Sequence, residues 1–399
     1  MKKFFKKFRF CMEDDINLLH RAKPAVFAID ASSANKQHRT GVEQYAYHLI
    51  EAMKREPLRQ GERVFLYAPS ALEGALADVP SGWESRVLPW RLGRGWMQGR
   101  VSWELLRRRP DVLFVPSQGL PRFFFGTPVV TTVHDVAFRR IGGLYDPSVR
   151  RRLARTTRRA VNTAAHLFAV SETTKRDLQE FYHLADHQIT VTPLAADTTL
   201  YRRLDTAAVA TILRKLRIGR SFFLSVGRLE KKKNIATLIR AFELFKQDRG
   251  VGDPFELVLA GPAGYGYGEI KAMADRSSAR ELIREVGYLP DEEIAALMNS
   301  ATACCLPSAY EGFGLPIVEA MSCGAPLILS DIPVHHEVAG DAARYAPVDA
   351  PEVWARQMET LVSDTDTRDL QVEKGTVRAS GFSWGHTARA TWSVMRSLV

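Results

Sequence analysis

The sequence predicts an α/β protein with two doubly wound domains that face a central cleft. Short apolar runs alternate with longer amphipathic segments along the 399 residues, which is typical of parallel sheets covered by helices on both faces. The alternation stops in a polar stretch near residues 200–220 and then restarts. Two series of roughly equal size therefore predict two sheets, each with its own set of helices.

The first series contains six predicted strands and the second contains four. Those of the first half lie at 25–30, 63–69, 111–117, 128–135, 166–171 and 189–193. Those of the second half are near-continuous apolar runs at 221–227, 255–261, 302–308 and 325–331, as expected of central parallel strands. Amphipathic patterns between strands predict helices at 41–54, 236–245 and 291–301.

We expect the chain to divide into four parts. These are a basic aromatic extension at 1–22, a first domain at 23–205, a second domain at 206–385 and a C-terminal helix at 386–399. The extension begins MKKFFKKFRF, in which basic residues interleave with phenylalanines. As a helix, this pattern is typical of an anchor at a membrane surface.

The net charge of +10 is unevenly distributed. Up to Thr199 the chain has 31 Lys and Arg against 20 Asp and Glu, and afterwards 24 against 25. Two further basic clusters lie in the first half, at 90–109 with three tryptophans and at 150–159 on one predicted helix. This half is therefore expected to meet an anionic partner such as a phospholipid surface, a lipid diphosphate or a nucleic acid, and the alternative is a basic surface that only keeps the protein in solution. No module that reads nucleic acid accompanies the charge, so we expect no nucleic-acid partner.

Several other classes of protein and site are disfavoured. The four cysteines form no metal-binding pair and no disulfide framework, no apolar run is long enough to span a membrane, and the N-terminus lacks the apolar region of a secretory signal. Neither a P-loop nor a G-x-G-x-x-G fingerprint is present. In His335-His336-Glu337 adjacent side chains point apart, so we expect no metal there. A cytoplasmic protein is the expectation.

The segment PSAYEGFGLPIVEAMSCGAP, residues 307–326, predicts a site that holds an anion. Pro316 suits the first turn of a helix and Gly324 suits the residue after its end, which predicts a helix at Leu315–Cys323. The preceding loop, Gly312–Gly314, opens onto the N-terminus of this helix. Such a loop presents free N–H groups and the positive end of the helix dipole, and it is suited to bind a phosphate.

Two carboxylates, Glu311 and Glu319, flank this anion seat in surroundings that are otherwise small and apolar. A lone carboxylate is costly in a packed segment unless a partner compensates it. Glu319 lies one turn into the helix, where the dipole by itself stabilises an acid by about 0.3–1 kcal/mol. Glu311 precedes the helix at the carboxyl end of a predicted strand, where ligands bind in open α/β sheets. Glu311 is therefore predicted to be functional, and both explanations stay open for Glu319.

A second basic segment, GRLEKKKN at 227–234, follows the first strand of the second domain. Arg228 and one or more of the three lysines at 231–233 suit a diphosphate, Arg by its planar fork and Lys as a point charge. Together with the anion seat, they predict a binding site for a negatively charged nucleotide.

The combination of GRLEKKKN with EGFGLPIVEAMSCGAPLILSD resembles the retaining GT-B glycosyltransferases of family four, the group 1 family. The hallmark of that family is a Glu, seven residues and a second Glu, which Glu311 and Glu319 match. Further segments in the family's order are TGVEQYAYHLI, VTTVHDVAF, AVSETTKRDL and FSW near residue 382. The resemblance extends from Ala25 over nearly the whole chain. It implies two Rossmann-like domains, with the acceptor bound by the first and the nucleotide sugar by the second.

The resemblance also implies roles for residues of the second domain. Glu319 would accept the ribose hydroxyls, and Glu311 would lie near the transferred sugar. Arg228 and Lys233 would hold the diphosphate and stabilise it as it leaves. The backbone of Gly312, Phe313, Gly314 and Leu315 would complete the diphosphate site.

In the first domain, the resemblance implies roles for three residues. Gly41 would approach the diphosphate or the acceptor, His134 would contact the donor sugar across the cleft, and Asp135 would pair with His134. No metal or other cofactor is expected, because Arg228 and Lys233 supply the charge that Mg²⁺ supplies elsewhere.

The expected activity is retaining transfer of a hexose, of mannose or glucose type, to an acceptor hydroxyl. The donor would be GDP-mannose or a UDP-hexose, and the acceptor a saccharide or a lipid-linked saccharide in cell-surface polysaccharide or glycolipid assembly. The protein would then work in the cytoplasm or at the inner face of the plasma membrane. The alternatives are a nucleotide-sugar-binding protein without turnover and an epimerase of the same fold.

Overall fold

Two parallel β-sheets organise the structure, a computed structural model that describes residues 24–92, 94–219, 221–247, 249 and 252–399. The first sheet has the strand order β3-β2-β1-β4-β5-β6-β7 and the second the order β10-β9-β8-β11-β12-β13. Every pairing is parallel. The strand order reverses next to β1 and next to β8, and such reversals open a crevice at the carboxyl ends of the strands. The predicted fold class is confirmed, while the extension at 1–22 lies outside the described residues.

The first sheet contains β1 Val26–Asp30, β2 Arg63–Ala68, β3 Trp83–Val87, β4 Val112–Val115, β5 Val129–Val133, β6 His166–Ala169 and β7 Ile189–Val191. The second contains β8 Phe222–Val226, β9 Glu256–Ala260, β10 Ile283–Gly287, β11 Ala303–Leu306, β12 Leu327–Ser330 and β13 Arg344–Ala346. Ten of these strands match the predicted runs.

The α-helices lie between and after the strands. In chain order they are α1 Gly41–Arg55, α2 Ser102–Arg107, α3 Ala137–Arg140, α4 Pro147–Thr163, α5 Glu172–Tyr182, α6 Thr206–Lys215, α7 Ile235–Gln247, α8 Tyr267–Arg276, α9 Asp291–Ser300, α10 Leu315–Cys323, α11 Pro333–Ala339, α12 Pro351–Ser363, α13 Thr365–Ser380 and α14 Trp384–Ser397. Within the described ranges, none of these helices combines the length and the apolar composition that crossing a membrane requires.

The prediction misses three strands, β3, β10 and β13, and all three lie at a sheet edge. β3 and β10 each bury only their first residue, and β13 has three residues. An edge strand is covered less completely than a central one, so its sequence lacks the continuous apolar run that identified the others.

Helix α10 begins and ends as predicted, at Leu315 and Cys323. Gly314 before it has a φ of 91° and Gly324 after it a φ of 69°. Both lie in the left-handed region, which glycine enters without steric cost. The two glycines therefore set the length of the helix that carries Glu319.

The last helix, α14, packs against the first domain although it follows the second in sequence. The indole of Trp392 lies edge-on to Phe27, with ring centroids 5.3 Å apart, and its Nε1–H donates to the Met53 carbonyl. Arg396 pairs with Glu62 at 2.7 Å. The chain thus crosses between the domains a second time. The domain limits at 205/206 and 385/386 stay a prediction.

Candidate functional site

The two domains meet where the carboxyl ends of their central strands face each other, and Gly312 lies at this contact. A Cβ atom on Gly312 would lie 1.8 Å from the backbone oxygen of His134, which is far inside van der Waals contact. The Gly312 carbonyl accepts a hydrogen bond of 2.6 Å from the Ser171 hydroxyl of the first domain. The loop between Glu311 and α10 therefore lies directly against the loop that follows β5.

Glu311 is held as an ionised carboxylate. Lys233 Nζ and Ser308 Oγ both donate to its Oε1, the latter at 2.6 Å. Burial raises the pKa of Glu311, but the charges of Lys233 and Lys232 and the two hydrogen bonds outweigh burial and lower it to about 2. Glu311 and Lys233, which belong to two separate sequence motifs, therefore form a direct ion pair in the crevice.

Lys232 is a member of the site that the sequence analysis did not single out from its neighbours. Its ammonium lies 3.8 Å from Asp135 Oδ2, across the domain boundary. Burial lowers the pKa of Lys232, but Asp135, Tyr145 and two glutamates raise it well above its usual range. Lys231 points elsewhere and pairs with Glu269 at the surface. Of three adjacent lysines, two therefore face the crevice.

Arg228 lies at the carboxyl end of β8, beside a narrow pocket formed with Gly227, Lys233 and Ser308. Its guanidinium is exposed and forms no ion pair with another residue in the part of the chain that the structure describes. The guanidinium is therefore available to an anionic ligand in the crevice.

The amides of Phe313, Gly314 and Leu315 lie at the N-terminus of α10, as predicted. The Phe313 ring is 4% exposed and packs edge-on against Phe382, so only its backbone faces the site. The first amides of a helix lack partners within the helix and carry the positive end of its dipole. This arrangement is suited to an anion, and it lies between Glu311 and Glu319.

Glu319 has surroundings opposite to those of Glu311. It is the fifth residue of α10, 9% exposed, and faces a cavity of about 180 Å³ that Tyr201 and Asp291 also line. Burial and the nearby Asp291 raise the pKa of Glu319 to about 8. No cation pairs with it among the described residues. The dipole explanation fails, because Glu319 lies beyond the first turn and its charged form is disfavoured.

His134 directly follows β5, and it does not pair with Asp135 as predicted. Its Nε2 lies 2.8 Å from the Pro116 carbonyl, and its ring packs edge-on against Tyr45 at 4.8 Å. Asp135 faces Lys232 instead of pairing with the imidazole, so that part of the prediction is wrong. The two consecutive residues lie after the end of the strand, where their side chains diverge. Burial lowers the pKa of His134, which keeps the ring neutral.

Gly41 is the first residue of α1, and the space around it is open. A Cβ atom at this position would meet no atom within 4 Å. The residue is exposed, and the Thr40 cap precedes it. The helix N-terminus at Gly41 thus stays accessible to a ligand.

The consecutive residues His335, His336 and Glu337 face three different partners. His335 is buried with Nδ1 at 2.9 Å from the Ser330 carbonyl, and His336 Nε2 lies 2.7 Å from Asp331. Glu337 reaches the first domain. No cluster of three metal-type side chains occurs within the described ranges.

Several residues that line the cavity next to Glu319 were not predicted from the sequence. Gln44 of α1 donates to Asp291 of α9 at 2.8 Å and so bridges the domains. The other lining residues are Arg39, Tyr47, His48, Ala195, Asp197, Leu200, Tyr201 and Leu315. They come from separate segments of the chain, and no local pattern links them.

Family models match both halves of the chain. The description "Glycosyltransferase Family 4" matches residues 39–200 and "Glycosyl transferases group 1" matches residues 211–378. Among curated relatives, the O-antigen chain mannosyltransferase B of Escherichia coli is 28% identical over 75% of this chain and 77% of its own length. A D-inositol 3-phosphate glycosyltransferase of Nocardia farcinica is 28% identical over 73% of this chain and 63% of its own.

Solved structures show the same fold. HepE of Anabaena, in complex with UDP and glucose, superimposes with a TM-score of 0.70 at 18% identity, over 93% of this chain and 99% of its own. WaaG, a glycosyltransferase involved in lipopolysaccharide biosynthesis, superimposes with a TM-score of 0.70 at 16% identity, over 92% of this chain and 99% of its own. The site geometry, the two family models and these folds agree, and the chain belongs to the group 1 glycosyltransferases of family 4, with the GT-B fold.

Proposed function

We propose that this protein is a retaining hexosyltransferase, which moves a sugar of mannose or glucose type from a nucleoside diphosphate to an acceptor hydroxyl. The observation that carries the proposal is the ion pair of Glu311 with Lys233 in the crevice between the domains. A carboxylate of lowered pKa beside an exposed arginine and free helix amides suits a reaction in which positive charge develops on the sugar and negative charge on the diphosphate.

In the proposed reaction the bond from the sugar C1 to the diphosphate oxygen breaks while C1 bonds to the acceptor oxygen on the same face. The acceptor proton passes to the leaving phosphate, so no dedicated base is required. Arg228, Lys233 and the amides at the start of α10 hold the leaving group. Since an ammonium has three N–H donors, Lys233 can keep Glu311 while it binds a phosphate oxygen. Glu311 orients sugar hydroxyls and stabilises the oxocarbenium-like charge, across from His134.

The cavity next to Glu319 is the proposed ribose site. A carboxyl group whose pKa lies near 8 is largely protonated at neutral pH and can both donate to and accept from a diol. Gly41 faces the diphosphate or the acceptor. Asp135 holds Lys232 in place next to the transferred sugar. No metal is required in this scheme, because the cations of the chain neutralise the diphosphate.

GDP-mannose and UDP-hexoses are the proposed donors. A mannosyltransferase among the relatives supports the first, and the UDP and glucose bound to HepE support the second. The proposed acceptor is a saccharide or a lipid-linked saccharide of surface polysaccharide or glycolipid assembly, in line with O-antigen and lipopolysaccharide enzymes of the same family.

We place this activity in the cytoplasm, at the inner face of the plasma membrane. Helix α4 carries six arginines and no acidic residue, and five of the six are exposed. The loop beside it exposes Phe123 by 53%, and α2 exposes Trp103 by 53%. Arg159 of α4 donates to two carbonyls of that loop, and Ser102 of α2 accepts from its amides. We call this continuous surface of α4, α2 and residues 121–126 the arginine face.

The proposal is tested by Glu311→Gln with each donor in turn. We expect transfer and donor hydrolysis to fall by about a thousandfold or more, because the charge that supports the transition state is lost. Binding of the nucleoside diphosphate, measured by calorimetry, should stay within about threefold of wild type. Release of nucleoside diphosphate from none of GDP-mannose, UDP-glucose and UDP-N-acetylglucosamine by the wild-type protein would leave the alternative, a binding protein without turnover.

A further inference from the structure

Three groups of the second domain converge on a single helix of the first. They are the Tyr310 hydroxyl, the Gly312 carbonyl and the Glu337 carboxylate, and each bonds to α5 or to its cap residue Ser171. We call these three contacts the clamp.

The first contact joins the residue before Glu311 to the middle of α5. The Tyr310 hydroxyl donates to Asp177 Oδ2 at 2.5 Å. Asp177 is 4% exposed, and Arg140 donates to its other oxygen at 2.6 Å and 3.0 Å. Because Arg140 holds the carboxylate in place, Tyr310 bonds to a rigid acceptor.

The second contact joins the residue after Glu311 to the start of the same helix. The Gly312 carbonyl accepts from Ser171 Oγ at 2.6 Å and from Thr174 Oγ1 at 3.2 Å. Both hydroxyl residues are fully buried. A buried hydroxyl without a hydrogen-bond partner is costly. The two hydroxyls therefore favour the domain arrangement in which the Gly312 carbonyl accepts from them.

The third contact places a charge at the helix N-terminus. Glu337 accepts from the backbone amides of Glu172 and Thr173, at 2.6 Å and 2.8 Å, and from the Thr173 hydroxyl at 2.7 Å. A carboxylate there satisfies amides that lack partners within the helix and interacts favourably with the dipole. Most capping carboxylates precede their own helix, whereas this one comes from the other domain.

From this geometry we infer that the clamp sets the position of Glu311 opposite His134, and that Tyr310 and Glu337 are positioning residues for the transfer. The chain is bonded to α5 or its cap on both sides of Glu311, before it through the Tyr310 side chain and after it through the Gly312 carbonyl, so the first domain restrains the path of this segment. The inference rests on the proposed role of Glu311. It predicts that the second domain by itself binds the nucleotide, while the reactive arrangement forms only when the clamp is closed.

Tyr310→Phe and Glu337→Gln each test this inference with little change in volume. Each should lower kcat with the preferred donor by about tenfold or more, the usual effect of one lost charge-assisted hydrogen bond. The Kd of UDP or GDP should stay within about threefold, because neither side chain lies in the nucleotide site. Wild-type kcat in both variants would overturn the inference.

Two matched controls separate positioning from stability. Tyr267→Phe removes a similar phenol–carboxylate bond, of 2.6 Å to Glu285, inside the second domain. Asp364→Asn alters a similar helix cap, which accepts from the Thr367 amide at 2.9 Å. Both controls should keep wild-type kcat. An equal loss of kcat in controls and clamp variants, or a parallel loss of nucleotide affinity in the clamp variants, would contradict the inference.

A readout that does not need turnover separates this inference from the proposed function. In Glu337→Gln, hydrogen exchange of the Glu172 and Thr173 amides should accelerate, and the radius of gyration from X-ray scattering should rise as the domains part. Should no donor turn over in the wild-type protein, the proposed function fails, and these two measurements still decide whether the clamp holds the domains. Unchanged hydrogen exchange of the two amides and an unchanged radius of gyration in Glu337→Gln would overturn the inference.

Discussion

Two glutamates separated by seven residues have opposite electrostatic surroundings. Glu311 is paired with Lys233, which lowers its pKa, and Glu319 faces a cavity with a second acid, which raises its pKa. The difference arises because Glu311 lies in the loop before α10, next to the basic segment after β8, whereas Glu319 lies on α10 itself and faces Asp291 of α9. In the proposed function the first stays ionised beside the sugar, and the second stays largely neutral beside the ribose.

The pH dependence of stability tests this contrast with Glu319→Gln. The folded pKa of Glu319, about 8, lies above the ordinary 4.5, so the cost of its buried charge is absent below pH 4.5 and fully present above pH 8. The variant should therefore gain stability over wild type as the pH rises through this window. The gain should be about 1–3 kcal/mol, less than the full pKa shift implies, because the protein relaxes around a buried charge. Denaturant unfolding at several pH values measures it.

Glu311→Gln is the matched control, because the pKa of Glu311 is shifted in the opposite direction and its effect on stability therefore has the opposite pH dependence. The folded pKa of Glu311 lies below its ordinary value, so its charge stabilises the protein above pH 4.5, and this contribution is lost as the pH falls towards 2. This variant should be less stable than wild type at neutral pH. The same pH dependence in both variants would contradict the opposite surroundings of the two carboxylates.

The segment that contains α10 and its flanking loops depends on glycine for two separate reasons. Gly314 and Gly324 have left-handed backbones that set the ends of the helix. Gly312 has no positive φ, and its requirement comes from the contact with the His134 carbonyl. A methyl group at Gly312 is therefore compatible with the local backbone but not with closed domains.

Gly312→Ala should consequently separate folding from activity. We expect the melting temperature to fall by only a few degrees, about the effect of 1 kcal/mol, while transfer falls by about a hundredfold or more. Scattering should also show a larger radius of gyration. Gly268→Ala is the control, since its Cβ would meet no atom within 4 Å. A closed and fully active Gly312→Ala protein would contradict the contact.

Over the whole molecule, the basic charge is concentrated in the first domain. The excess of basic residues lies in the first half, and the structure concentrates a part of it on the arginine face. The described members of the predicted cluster at 90–109 include Trp103 of this face, while Trp90 and Trp96 donate hydrogen bonds to backbone carbonyls. Each basic residue near an anionic bilayer contributes about 1 kcal/mol of binding, so a group of them is significant.

Membrane docking is tested by replacing Arg151, Arg152, Arg155 and Arg158 with glutamine. We expect binding to vesicles that contain phosphatidylglycerol to weaken by about a hundredfold, and transfer to a water-soluble acceptor to stay near wild type. Sedimentation with vesicles with and without the anionic lipid measures it. The control replaces four exposed arginines of the second domain, Arg214, Arg240, Arg276 and Arg356. An equal loss in the control, or no loss at all, would contradict docking by this face.

Local sequence patterns predict the two-sheet architecture, the limits of α10 and ten of the thirteen strands found in the described residues. Central strands are buried on both faces and must be apolar throughout, and Pro316 and Gly324 act on the backbone locally. The anion seat and the pair of glutamates follow from the same local chemistry. These features are readable because each depends on residues that are neighbours in the chain.

Contacts between side chains that are distant in sequence depend on the tertiary structure. It paired Asp135 with Lys232 rather than with His134, packed α14 on the first domain, and assembled the cavity of Glu319 from distant segments. It also directed Glu337 to the N-terminus of α5. These contacts join residues that are far apart in sequence, and the packing of the two domains places them together. Edge strands, the domain contact and the pKa values depend on that packing, because burial and nearby charges exist only once the chain has folded.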